Sequence, residues 1–268
     1  MNILKEIAER TRERIWEEKS RISVPVLLRR IEERKLREKE TCGLANLYEA
    51  LRRDGMSYIC EVKRASPSKG LISPVFPYLE IALEYERAGA AAISCLTEPY
   101  WFMGLDQYLE EIAQKVNIPV LRKDFTVDEY MIYQARALGA SGVLLICAIL
   151  DDGQLAAYRQ LTGELGMDAL VEAHDEWEVE RALHAGADII GVNNRDLRTF
   201  QVDMDNSIRL REMAPSDVVF VSESGIRTAD DILKLRANKV DAVLIGETLM
   251  RSADKKEALE ALNAGPLL

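Results

Sequence analysis

Short uninterrupted apolar runs alternate along the chain with longer stretches in which apolar residues return every three or four positions among charged ones. Continuous Val/Ile/Leu runs without polar alternation suit parallel strands covered on both faces. They predict strands at Tyr58 to Lys63, Ala91 to Leu96, Pro119 to Lys123, Gly142 to Ile146, Ala169 to Glu172, Ile189 to Asn193, Val218 to Ser222 and Ala242 to Ile245. The stretches between them are helical in pattern, and the alternation recurs every roughly 20 to 30 residues, the size of one β-α unit. Three predicted helices close with Ala88-Gly89-Ala90, Leu138-Gly139-Ala140 and Ala185-Gly186-Ala187, where a glycine past the last turn redirects the chain into the next strand. The pattern predicts an α/β protein, a single (β/α)8 TIM barrel. A doubly wound open sheet is the structural alternative, but it offers no reason for reactive residues at the ends of so many strands.

Up to about residue 55 the pattern is helical only: Ile3, Leu4 and Ile7, then Ile15 and Trp16, then Val26, Leu27, Leu28, Ile31 and Leu36, with charged residues between. This predicts amphipathic helices packed on the barrel, the second with Pro25 in its first turn and Ser23 as its N-cap. Residues 1–268 are thus expected to form one barrel domain, of which 1–55 is a helical extension; barrels of about 250 residues are routinely single domains.

Composition narrows the function. No apolar run reaches the roughly 18 residues of a membrane span. The N-terminus carries charges of both signs with no apolar core or cleavage site, so a cytoplasmic location is expected. A net charge of -10 argues against nucleic acid as the main partner, while leaving room for a local basic pocket that takes an anionic small molecule. Cys42, Cys60, Cys95 and Cys147 show no CxxC spacing and read as buried free thiols. With only His174 and His184, a histidine-based zinc site or Ser-His triad has little to work with.

Six apolar runs end in chemically active residues: YICEVK at Lys63, IPVLRKD at Lys123 and Asp124, ALVEA at Glu172, IIGVNNR at Asn193 to Arg195, VVFVSES at Ser222 to Ser224, and AVLIGE at Gly246 and Glu247. A parallel barrel gathers such ends at one rim. Glu61 and Lys63, two apart on a strand, project to the same side, either as an ion pair plugging the barrel or as part of a site. The following Arg64-Ala65-Ser66-Pro67-Ser68-Lys69-Gly70, rich in hydroxyls and cations, suits a loop that holds an anion. Lys123 reads either as a snorkelling surface lysine or as a partly desolvated one of lowered pKa, able to act as an acid or form a Schiff base. Glu172 reads as a general base or as the partner of a barrel lysine, and both histidines read as bystanders. Asn193 and Arg195 suit a hydroxyl and a carboxylate or phosphate, and the glycine loops at Ser224-Gly225 and Gly246-Glu247 follow strands seven and eight, the usual phosphate site of this fold.

These residues closely resemble the indole-3-glycerol phosphate synthase family. Glu61-Val-Lys63-Arg-Ala-Ser66-Pro-Ser68-Lys-Gly70 is similar to its most specific signature, and LRKDF, LVEAH, GVNNRDL, VSESGI and LIGETLM follow in family order over nearly the whole chain. The resemblance implies closure, decarboxylation and dehydration of 1-(2-carboxyphenylamino)-1-deoxyribulose 5-phosphate, a step of tryptophan biosynthesis, with no metal or organic cofactor and a monomer as the expected form. It implies Lys123 as the cation at the forming alkoxide, Glu172, Glu61 and Lys63 as the dehydration acid and base in an order left open, and Asn193 as orienting the sugar hydroxyls. It further implies Ser66 and Arg195 near the anthranilate carboxylate, Phe102 on the substrate ring, and Ser224, Gly225, Gly246 and Glu247 around the phosphate, Glu247 through its backbone N–H.

Three positions depart from the family pattern: Leu105 where serine is more common, Ala173 where valine is, and Thr126 where a branched apolar residue is. The first is expected to alter loop hydrogen bonding or closure. The competing functions are a phosphosugar isomerase or Schiff-base aldolase on the same barrel, and a binding-only barrel that keeps the phosphate loops; Glu61, Lys63, Lys123 and Glu172 together disfavour the last.

Overall fold

The computed structural model describes residues 3–39, 43–196 and 199–264, so Cys42 lies outside the described residues. Helices α1 (Ile3–Arg21), α2 (Val24–Lys39) and α3 (Leu47–Leu51) precede the first strand. Eight parallel strands then close into a barrel in chain order: β1 (Ser57–Val62), β2 (Ala92–Leu96), β3 (Val120–Lys123), β4 (Gly142–Ile146), β5 (Asp168–Ala173), β6 (Ile189–Asn193), β7 (Val219–Glu223) and β8 (Ala242–Ile245), which pairs back onto β1 with Tyr58 opposite Val243. Between and after them run α4 (Tyr78–Arg87), α5 (Asp106–Ala113), α6 (Glu129–Leu138), α7 (Asp152–Glu164), α8 (Glu176–His184), α9 (Asp205–Arg211), α10 (Ala229–Ala237), α11 (Glu247–Arg251) and α12 (Lys255–Asn263). The glycines at the three repeated helix ends, Gly89, Gly139 and Gly186, all adopt positive φ. The expected strands are all present, with ends shifted by one residue at β1, β2, β3, β5 and β7; at β3 Pro119 lacks an N–H for the ladder, and β1 stops at Val62, one residue before Lys63.

Two apolar layers hold the barrel. Outward-facing Cys60, Val62, Cys95, Val171, Val192 and Phe220 pack against the helices. Inward-facing Ile59, Ala92, Leu121, Leu144, Leu170, Ile189, Val219, Val221, Ala242 and Leu244 fill the interior. The N-terminal helices close both ends of that interior, because Leu47 and Leu51 of α3 and Leu4 and Ile7 of α1 belong to the same inner cluster. At the bottom, Asp168 accepts the Leu47 and Tyr48 amides at 2.9 and 3.1 Å. At the top, Arg14 of α1 forks onto both oxygens of buried Asp124 at 3.0 and 2.9 Å, fixing α1 to the end of β3.

The extension buries less of its apolar set than the pattern predicts. Trp16 is 77% exposed, and Val26, Leu28 and Leu36 also face solvent. Neighbouring helical residues point about 100° apart, so Ile15 and Leu27 take the buried face and exclude the residues beside them. Ser23 meets α2 through its carbonyl, which accepts from Val26 and Leu27 at 3.0 and 3.2 Å. Cys60, Cys95 and Cys147 are buried thiols.

Candidate active site

The period of two along each strand carries the inward apolar positions directly into the site. Ile59 leads to Glu61 and then Lys63, Leu121 to Lys123, Leu170 to Glu172, Ile189 through Gly191 to Asn193, Val221 to Glu223, and Leu244 to Gly246. All twelve residues proposed from sequence (Glu61, Lys63, Ser66, Phe102, Lys123, Glu172, Asn193, Arg195, Ser224, Gly225, Gly246 and Glu247) line one pocket of about 430 Å³ at the C-terminal rim. Ile3, Leu4 and Ile7 of α1 form part of its wall, a contribution the helical pattern alone does not reveal.

Lys123 is the centre of the charge network. Its Nζ donates to Glu172 Oε2 at 3.1 Å and Glu223 Oε2 at 3.0 Å. The lowered pKa expected for this lysine is therefore wrong. Burial does disfavour its charge, but Glu223, Glu172 and Glu61 outweigh burial and hold the ammonium well above the ordinary lysine range. Nor is it a snorkelling surface group, since its side chain is only 12% exposed. The carboxylates split in the opposite sense. Burial raises Glu172, yet Lys123 and then His174 overcome it, with a hydrogen bond from Asn193 adding to them, so Glu172 is held below the usual carboxylate range. Glu223 is pushed up to about 7 by burial, which together with the nearby Glu172 charge outweighs Lys123.

Glu223 is the functional residue that reading strand ends alone misses. The tetrapeptide VSES draws attention to its serines, but inward parity selects the glutamate. The signal lies on the neighbouring strand, where a Cβ on Gly191 would sit against Glu223 Oε1. A glycine inside a strand often marks room for something else, here the Glu223 side chain. Ser222 points the other way: its hydroxyl joins Ser207 at 2.8 Å and Asn194 at 2.9 Å outside the barrel. Asn194 likewise anchors loops, accepting from Ser207 and donating to the Ser224 carbonyl, while Asn193 and Arg195 line the pocket.

Lys63 donates to Glu61 Oε1 at 2.5 Å, and this pair lies against Gly246. A Cβ there would meet Glu61 Oε1 and come within 2.7 Å of Lys63 Nζ, so a larger residue would have to displace one or both charged ends. Ser224 and Gly225 follow with φ of 69° and 91°, two successive residues in the left-handed region just past β7. The Glu247 carboxylate is occupied by Arg251 at 3.1 Å and Lys69 at 3.5 Å at the start of α11. Phe102 lies 6.1 Å from Phe125, ring centroid to centroid, on a loop fastened by buried Glu98, whose two oxygens accept the Tyr100, Trp101 and Phe102 amides. Arg195 donates to the Phe200 carbonyl at 3.2 Å, and Ser66 Oγ lies 3.5 Å from Ser68 Oγ.

Of the two histidines, only His184 stands apart from the site. His174 Nε2 lies 3.5 Å from Glu172 Oε1, while its Nδ1 meets Glu178 at 2.9 Å. Leu105 is the N-cap of α5 and supplies no side-chain hydrogen bond to it. Ala173 and Thr126 are buried.

A closed parallel barrel whose strands deliver a caged lysine and the two carboxylates on it to one rim defines a (β/α)8-barrel enzyme of acid–base chemistry. Its family follows from comparison with known proteins: the indole-3-glycerol phosphate synthase family model matches residues 4–262. A protein named indole-3-glycerol phosphate synthase from Ruminiclostridium cellulolyticum is 60% identical over 216 residues, 80% of this chain and 83% of that one. One of the same name from Lachnoclostridium phytofermentans is 47% identical over 270 residues, 98% and 99% of the two chains. The chain belongs to the indole-3-glycerol phosphate synthase family. Among solved structures, KGPDC from Streptococcus mutans superposes with a TM-score of 0.61 at 12% identity, covering 78% of this chain and 96% of that one, a likeness of fold alone.

Proposed function

We propose that the chain converts 1-(2-carboxyphenylamino)-1-deoxyribulose 5-phosphate to indole-3-glycerol phosphate, carbon dioxide and water in tryptophan biosynthesis. The observation that carries this reading is Lys123, buried in the pocket and held charged between Glu172 and Glu223. The ring carbon bearing the carboxylate attacks the ketone, and the oxygen that gains charge needs a proton from a fixed cation. Lys123 fills that role. Carbon dioxide then leaves, its bonding pair restoring the aromatic ring, and an indoline bearing the new hydroxyl remains. That hydroxyl departs as water with a proton from an acid, while a base removes a proton from the carbon next to nitrogen.

Glu172, ionised and hydrogen-bonded by Asn193, is the base in this scheme, and the Glu61–Lys63 pair supplies the second acid. Starting from the ionised carboxylate, the sum consumes one proton per turnover. Asn193 also orients the sugar hydroxyls. The Ser224-Gly225 loop and the backbone at Gly246 and Glu247 receive the phosphate; the Glu247 carboxylate, engaged with Arg251 and Lys69, leaves its N–H to the anion. Ser66 and Arg195 take the anthranilate carboxylate and Phe102 packs on the ring. The enzyme acts as a cytoplasmic monomer with a small-molecule substrate, needing neither nucleic acid nor cofactor. No helix among the described residues is long and apolar enough to cross a membrane.

The raised Lys123 ammonium argues against the Schiff-base alternative, which needs a lysine that loses its proton readily. Lys123→Ala is expected to abolish formation of fluorescent indole product while circular dichroism is unchanged, and borohydride with substrate is expected to leave the wild-type mass unchanged. Wild-type turnover by the variant would refute the role of Lys123, and a covalent adduct would favour the aldolase.

A further inference from the structure

His174 lies just past β5 and faces two carboxylates at once. Its Nδ1 and its backbone N–H both meet Glu178 Oε2, at 2.9 and 2.8 Å, which fixes the ring plane. Glu178 is itself set by α8, where Asp175 caps the helix and accepts the Glu178 amide at 2.9 Å. The opposite edge, Nε2, is buried without a hydrogen-bond partner and lies 3.5 Å from Glu172 Oε1, on the oxygen that Lys123 does not use. A second cavity of about 510 Å³, lined by His174, Glu178, Asn193 and Arg195, adjoins the substrate pocket on this side. With Nδ1–H given to Glu178, a neutral ring would turn an Nε2 lone pair toward an anion, whereas the imidazolium turns an N–H toward it.

We propose that His174 is a positioning residue for the reaction: clamped by Glu178 as an imidazolium, it holds the second oxygen of Glu172 and keeps that carboxylate ionised and aimed while Lys123 works on the first. This rests on the reading of Glu172 as the base. The charges facing His174 favour the imidazolium. They are Glu178 on α8, Glu172 at the end of β5 and Glu223 on β7, with Lys123 on the far oxygen of Glu172; Asp175, Asp196 and Asp203 also line the second cavity, where Arg195 is the one other cation among the described residues. Burial opposes the charge, but Glu178 and then Glu172 outweigh it and raise His174 to about 9.

Two experiments test this. The chain has two histidines, and the second, His184, is exposed and serves as an internal reference for nitrogen-15 NMR titration. His174 is expected to remain doubly protonated at pH 7.5, and its midpoint to fall in both Glu178→Gln and Glu172→Gln. A neutral His174 at pH 7.5 would overturn the proposal. In kinetics, His174→Asn is expected to move the acid limb of kcat/KM upward by about 1 pH unit, the low end of the effect of an opposite charge within ~4–6 Å. Glu178→Gln, in which His174 is still protonated throughout the acid limb, should leave that limb without an upward shift while lowering the His174 midpoint. A His174→Asn profile that superimposes on wild type while Glu172→Gln is inactive would overturn this inference and leave the function intact; full activity in Glu172→Gln would remove both.

Discussion

Replacing Lys123 with methionine removes the one cation that lies between Glu172 and Glu223, at 3.1 and 3.0 Å from their oxygens, and leaves two buried carboxyls facing each other. Removing one partner of a buried ion pair costs about 3–5 kcal/mol when the remaining charge has no escape. Here the escape is protonation of Glu223, which is already raised to about 7, whereas Glu172 keeps His174 and Asn193. Below about pH 7 the wild-type Glu223 is itself largely protonated, so this escape adds little to the loss at pH 5.5. At pH 8.5 keeping it protonated costs about 2 kcal/mol, from about 1.36 kcal/mol per unit over the ~1.5 units above that value. The sign follows from linkage: a carboxyl raised by folding contributes stability at low pH that is lost as pH rises through its folded value. Urea unfolding of wild type and Lys123→Met at both pH values measures the difference. The penalty should grow by at least about 1.5 kcal/mol between pH 5.5 and 8.5, and most of that growth should vanish in Lys123→Met/Glu223→Gln. An equal penalty at both pH values would refute the cage.

Gly191→Ala is expected to push Glu223 away from Lys123 and lower kcat by at least about tenfold, since its Cβ would occupy the position of Glu223 Oε1, while circular dichroism stays native; stopped-flow fluorescence reads the loss. Leu105→Ser should supply the side-chain cap that α5 lacks and stabilise the protein by about 1 kcal/mol in urea unfolding; no change would show that the cap position is already satisfied. His174, raised from 6.5 to about 9, contributes stability that is full below pH 6.5 and lost as pH rises through 9, so the gap in urea midpoint between wild type and His174→Asn should be larger at pH 6 than at pH 9.5.

Inward parity explains why so much of the site is legible in the sequence. A strand buried on both faces must end where its apolar run ends, so Lys63, Lys123, Glu172 and Asn193 stand out by position as well as by type. Glu223 is obscured because Ser222 and Ser224 flank it, and its role depends on Gly191, a residue on another strand. His174 is missed for a similar reason: its partners Glu172 and Glu178 lie two and four residues away, but only the turn from β5 into α8 brings them to opposite edges of one ring. Lys123 lies in the pocket, as its strand-end position predicts, but its electrostatics run opposite to the lowered pKa expected, because the cation beside it in sequence is engaged elsewhere. Arg122 points outward to Asp106, Thr97 and Gln134, while carboxylates from β5 and β7 arrive across the barrel. The extension shows the limit of periodicity on charged helices, where Ile15 and Trp16 are equally apolar and only the barrel decides which is buried.

The central claim is the reaction itself, and its balance is measurable. Purified protein given 1-(2-carboxyphenylamino)-1-deoxyribulose 5-phosphate in weak buffer at pH 6, where released carbon dioxide stays largely unhydrated on the time scale of the assay, should yield one fluorescent indole and one carbon dioxide per substrate with uptake of one proton. Folded protein that leaves the substrate unchanged, or that releases carbon dioxide without forming the indole, would contradict it.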